Sequence, residues 1–154
     1  MGFERSTTLI DGAEQPDTMK ISAKAEYACL AILALARPNS DGSPIRIREI
    51  AKSHGIPERY LVQILLQLKG AGLVHSTRGA SGGYRLARSA NLISLGEVLS
   101  AIDGPGDPPR DSDKPAARVL AAVWENIRLA ERAVLDKTSI ADLTQLSAPL
   151  EWTI

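Results

Sequence analysis

The sequence predicts a mainly α-helical chain with a small β-hairpin wing: a winged helix-turn-helix domain followed by a long C-terminal dimerisation helix. Three observations carry this reading. A helix-period stripe, Ile47, Ile50, Ala51 and His54, stops at Gly55, and a second stripe, Leu61, Ile64, Leu65 and Leu68, starts just after Pro57 and Glu58, so two helices meet at a tight turn. The period then changes to that of strands around Arg78-Gly-Ala-Ser-Gly-Gly83. Beyond a proline-broken stretch, Leu120, Val123, Ile127, Ala130 and Val134 recur at steps of 3 and 4, the spacing of a two-helix seam and hence of a homodimer.

Each element has a local reason. Residues 1–18 show no sustained period and read as a flexible extension. Ser22 is suited to cap a helix over Ala23 to Ala36, closed by Arg37-Pro38 and apolar almost all round, as befits a central helix. Asn39 to Pro44 is turn chemistry, and Ile45-Arg46-Ile47 reads as one short strand before the helix-turn-helix. Gly55 supplies the left-handed stop of the first of those helices, and Pro57 opens the second, which runs to Gly70 and Gly72. Leu73 to Ser76 and Tyr84 to Leu86 form the hairpin, whose glycine tip lets backbone approach another surface. Ser94 and Glu97 make a capping box for a helix to Ile102. The resulting organisation is a winged helix-turn-helix domain over 19–102, a Pro/Gly/Asp-rich loop over 103–115, a dimerisation helix over 116–138 and a tail over 139–154.

Composition narrows the function. The chain has 154 residues, 44% of them hydrophobic, which suffices for a self-supporting core without staples. A single cysteine, Cys29, excludes a disulfide scaffold, and inside an apolar run it reads as a small buried hydrophobe. The longest apolar run, Tyr27 to Ala36, is too short to span a bilayer, and the acidic N-terminus lacks a signal-peptide pattern, so a cytoplasmic protein without membrane contact is expected. The formal charge is zero overall but uneven: residues 18–90 hold eleven basic against four acidic groups, a net +7, while both flanks are acidic. That segment suits a polyanion.

The helix after the turn is the one that enters the major groove in this fold. Off its buried stripe, Arg59 suits a guanine edge or a phosphate, Gln63 an adenine, and Tyr60 a phosphate through its hydroxyl. Arg78 at the hairpin tip suits a narrowed minor groove. The alternative is a winged-helix module that binds protein without DNA, which the +7 segment disfavours. Gly79-Ala-Ser81-Gly-Gly83 fits the G-x-S-x-G pattern of a hydrolase nucleophile, but a strand rather than a helix follows it and both histidines, His54 and His75, precede it, so no enzyme is expected. Both histidines read as structural.

Met19-Lys-Ile-Ser-Ala-Lys-Ala-Glu-Tyr27, Ile56-Pro-Glu-Arg-Tyr-Leu61, Gln63-Ile-Leu65, Ala71-Gly-Leu-Val74 and Arg78-Gly-Ala-Ser-Gly-Gly-Tyr-Arg-Leu-Ala-Arg88 resemble the Rrf2 family of bacterial transcription regulators. The resemblance spans roughly residues 19–102 and is looser through the C-terminal helix. It implies a winged-helix homodimer, here expected to be a repressor on a palindromic operator, with an effector or protein partner not specified by the sequence. It carries over Ser22, Lys24, Arg59, Tyr60, Gln63 and Arg78 as DNA contacts, together with Gly79, Ser81 and Tyr84 of the wing. Many members hold an iron–sulfur cluster on three cysteines between the fourth helix and the dimer helix. This chain has none there, so no cofactor and no metal is expected; the aspartates of the 103–115 loop read as solvated.

Overall fold

The computed structural model describes residues 21–37, 42–104, 106 and 113–151. The expected extension over 1–18 and most of the 103–115 loop lie outside the described residues. In chain order the described elements are α1 (Ala23–Leu35), α2 (Ile47–His54), α3 (Glu58–Gly70), β1 (Val74–Thr77), β2 (Gly83–Leu86), a single 3₁₀ turn (Ala90–Leu92), α4 (Leu95–Asp103), α5 (Pro115–Lys137) and α6 (Ile140–Glu151). They divide into two compact units, one made of Ile21–Asp107 with Ala133–Ile154 and the other containing the described residues 113–132.

The first unit is built around α1. Its apolar character all round lets α2, α3, α4, α6 and β2 pack against it, and Ala25, Ala28, Ala31 and Ala34 are buried where larger side chains would hold those neighbours off. Ser22 caps the helix by accepting from the Ala25 amide at 3.0 Å. The α3 stripe, Leu61, Ile64, Leu65 and Leu68, is fully buried. At about 1.5–3 kcal/mol for each such side chain, that burial fixes which face of α3 turns inward. Ile50 of α2, Val98 of α4 and Ile140 of α6 complete the core.

The wing is an antiparallel pair in the register Val74↔Leu86, His75↔Arg85, Ser76↔Tyr84 and Thr77↔Gly83. The Leu73 amide donates to the Leu68 carbonyl at 3.0 Å, joining the hairpin directly to the end of α3. The strand expected over Ile45 to Ile47 reduces to one residue. Ile45 and Tyr84 exchange two backbone hydrogen bonds of 2.8 Å, but Ile47 already begins α2, because Ile47, Ile50 and Ala51 share the helical stripe that faces the core. Gly83 sits behind this pair: a Cβ there would lie 2.5 Å from the Ile45 carbonyl oxygen, so only glycine fits.

The tail expected over 139–154 is instead helical over Ile140–Glu151. Ser139 and Asp142 form a reciprocal cap, with the Ser139 amide donating to Asp142 Oδ2 and the Asp142 amide to Ser139 Oγ, both at 3.0 Å. The return is tied down on both sides: the Leu95 amide donates to the Thr138 carbonyl at 2.8 Å and the Ile140 amide to the Ile93 carbonyl at 2.9 Å. Gly96 packs against the end of α5, where a Cβ would stand 3.4 Å from the Leu135 Cβ and displace the Asp136 carboxylate. The unit that holds the helix-turn-helix therefore extends beyond 19–102 to include 133–151. Ser94 and Glu97 form the expected capping box, and Glu97 also pairs with Arg88 at 2.6 Å. That hydrogen bond holds its carboxyl below the usual carboxylate range.

Candidate nucleic-acid interface

The turn between α2 and α3 is set by Gly55, whose φ of +65° only glycine adopts without strain; the Ile56 amide then returns to the Ala51 carbonyl at 2.9 Å. Pro57 stands one position earlier than expected, as the cap of α3 with φ −61° and ψ 128°. With its stripe buried, α3 presents Arg59, Tyr60 and Gln63 outward, all exposed. The Arg59 guanidinium lies over the Tyr60 ring, 5.4 Å from its centroid, which orients the cation while leaving its charge available. The three α3 candidates thus share one element whose inner face is anchored.

The hairpin turn carries the second group. Arg78, Gly79 and Ser81 are exposed. The turn closes on itself through the Gly82 amide, which donates to the Gly79 carbonyl at 3.0 Å. Arg46 Nη2 donates to the Ala80 carbonyl, tying the tip to the residue before α2. Tyr84 is placed differently: it is half-buried against the core, and its backbone is the partner of Ile45. It fastens the second wing strand to Ile45 and the core.

Ser22, at the cap, and Lys24, in the first turn of α1, are exposed. The Ser22 hydroxyl is engaged, since it accepts from Ala25 and donates to the two Asp103 carboxylate oxygens at 3.0 and 3.1 Å. Lys24 has no such commitment on its side chain among the described residues. Along α5, Leu120, Val123, Ala130 and Val134 are exposed and Ile127 is half-buried. Leu120, Val123, Ile127 and Ala130 belong to the 113–132 unit and Val134 to the other.

Two contributors escaped the sequence. Arg46 and Asp103 act through partners 34 and 81 residues away, beyond any periodicity window. Val62 and Leu66 did leave a signal, because two apolar residues off the buried stripe of an exposed helix need a partner of their own.

Three comparisons with known proteins bear on this surface. The profile of the Rrf2 family, described as "Iron-dependent Transcriptional regulator", matches residues 21–146. Over 137 residues the chain is 41% identical to Rv1287 of Mycobacterium tuberculosis strain H37Rv, named among HTH-type transcriptional regulators, covering 85% of this chain and 84% of that one. It is 38% identical over 127 residues to the HTH-type transcriptional regulator CymR of Bacillus subtilis, covering 81% and 89%. The solved structure of that CymR superposes with a TM-score of 0.73 at 35% identity, covering 84% of this chain and 98% of the other.

The mention of iron calls for a donor set, and the residues do not supply one. Clusters are held mainly by thiolates, and the sequence has a single cysteine. Cys29 packs among apolar side chains of the core, and burial, with Glu26 and Asp103 adding to it, pushes its thiol up to about 11. Such a thiol is protonated at neutral pH and is a poor ligand. Among the described residues no group of three or more His, Cys, Asp or Glu side chains is placed to hold a metal ion.

Proposed function

Because the chain belongs to the Rrf2 family of transcriptional regulators, we propose that it is a sequence-specific repressor that binds a palindromic operator as a homodimer, without an iron–sulfur cluster. The observation that carries this reading is the pairing of an anchored helix, whose outward face shows Arg59, Tyr60 and Gln63, with a glycine-tipped hairpin, tied to Arg46, that shows Arg78. α3 enters the major groove, where Gln63 meets an adenine edge and Arg59 a guanine edge or phosphate. Arg78 enters the flanking minor groove, whose narrowed form concentrates negative potential. Lys24, the main chain at Ser22, whose hydroxyl is held by Asp103, and the wing residues Gly79 and Ser81 supply contacts to the phosphate backbone that hold register. Two copies join through Leu120, Val123, Ile127, Ala130 and Val134, and the two-fold symmetry of that pair matches the palindrome. The site of action is the cytoplasm, where the operator lies.

The test separates the helix from the wing. Gln63→Ala should cost about 1–3 kcal/mol on the preferred operator and little on random duplex, relaxing one base position per half-site. Arg78→Ala should weaken both and reduce the salt slope by about one unit. Both side chains are exposed, so folding should be unchanged. If both folded variants bind the operator with wild-type affinity and salt slope, the reading surface has been misplaced.

A further inference from the structure

α3 carries two apolar side chains that the core does not use: Val62 is 44% and Leu66 55% exposed, whereas Leu61, Ile64, Leu65 and Leu68 are fully buried. Side chains three and four residues apart share a helix face. Val62 is three residues from Arg59 and four from Leu66, and Gln63 is four from Arg59 and three from Leu66, so the four form one patch. Its polar edge is Arg59 and Gln63, and its apolar edge is Val62 and Leu66. The patch lies away from the buried stripe, on the face that the proposed function turns toward the bases.

The only apolar group that a base pair shows on the major-groove floor is the 5-methyl of thymine. The basic residues of α3 stand near its two ends, Arg59 and Lys69, so phosphates are met there and the middle of the helix is left to base edges. Gln63 suits adenine, and each adenine brings a thymine methyl to the same groove floor. We infer that Val62 and Leu66 read thymine 5-methyl groups, distinguishing T·A from C·G by apolar contact beside the adenine read by Gln63. This rests on α3 being the DNA-reading helix, and it predicts A·T pairs at the centre of each half-site.

The experiment starts from the duplex that the wild-type protein enriches from a random-sequence pool. Each thymidine in it is replaced in turn by deoxyuridine, which removes the methyl and keeps every hydrogen-bonding group. One or two positions per half-site should lose about fourfold in affinity, the loss expected for one methyl-sized group returned to water. Val62→Ala should bind the thymidine and deoxyuridine forms equally at one of those positions, and Leu66→Ala at the other. If a duplex is enriched but no deoxyuridine weakens binding, or both variants keep the full loss, this inference falls while sequence-specific DNA binding stands, and Gln63→Ala on that duplex decides separately whether α3 reads it. If no duplex is enriched, both fall together.

Discussion

Replacing Gly83 by alanine places a methyl group against backbone that cannot yield without breaking a contact. The new Cβ would lie 2.5 Å from the Ile45 carbonyl oxygen, 2.6 Å from its carbonyl carbon and 3.0 Å from the Arg46 nitrogen, at a φ of +148°. A useful control is Gly79→Ala, where φ is +102° but nothing lies within 4 Å of the added atom. Both variants bear backbone strain, about 1–3 kcal/mol. Only Gly83→Ala must also push Ile45 away from Tyr84, losing two hydrogen bonds of 2.8 Å. At about 0.5–1.5 kcal/mol for each bond, Gly83→Ala should cost about 1–3 kcal/mol more than the control. Urea unfolding followed by far-ultraviolet circular dichroism, at matched protein concentration, measures both. Equal losses in the two variants would refute the reasoning, because both bear a positive φ and only Gly83→Ala adds the steric conflict.

Three further outcomes are expected. Cys29 should react with a disulfide reagent at pH 8 far more slowly in the native protein than in urea, since its thiol is pushed up to about 11 from an ordinary 9.0 by burial first and by Glu26 and Asp103 second. The fold favours the neutral thiol, so this contribution to stability is full below pH 9.0 and fades as pH rises toward about 11; Cys29→Ala should lack that component in pH-dependent unfolding. Protein purified under strict anaerobiosis should be colourless, with neither stoichiometric iron nor sulfide by chemical assay. Light scattering at tens of micromolar should give a dimer mass, and Ile127→Asp should give a monomer mass, because a dimer seam would bury an unpaired carboxylate.

The parts of the fold legible in the sequence are those whose cause lies within a few residues. The Ser94–Glu97 cap, the Gly55 stop and the α3 stripe each depend on neighbours one to four positions away. Ile45 was harder, since its short extended piece is defined by Tyr84, 39 residues on, and its own sequence does not say where α2 takes over. α6 shows the opposite case. Its Ser139–Asp142 cap is as local as that of α4, but the helix matters only because Ile140 reaches the core, and that is a distant contact. For the candidate interface, residue type and period single out Arg59, Gln63 and Arg78 as candidates, whereas the Arg46 tether and the Ser22–Asp103 bond are juxtapositions that only the folded chain creates.

The pairing of Ile93 with Ile140 has a consequence for how the protein is made. In the core of the reading unit Ile93 meets a partner 47 residues on, and everything between them must be synthesised before that partner exists. Until Ile140 has left the ribosome, the flank of α1 that α6 covers stays in water, and the Leu95 amide and the Ile93 carbonyl lack their partners. The nascent helix-turn-helix is thus an incomplete body with exposed apolar surface, the kind of species that chaperones hold. Closing so long a loop adds little entropy beyond closing a short one. The delay is therefore set by translation, and a transcript cut short before the codon for Ala133 would yield a reading head unable to finish its own core.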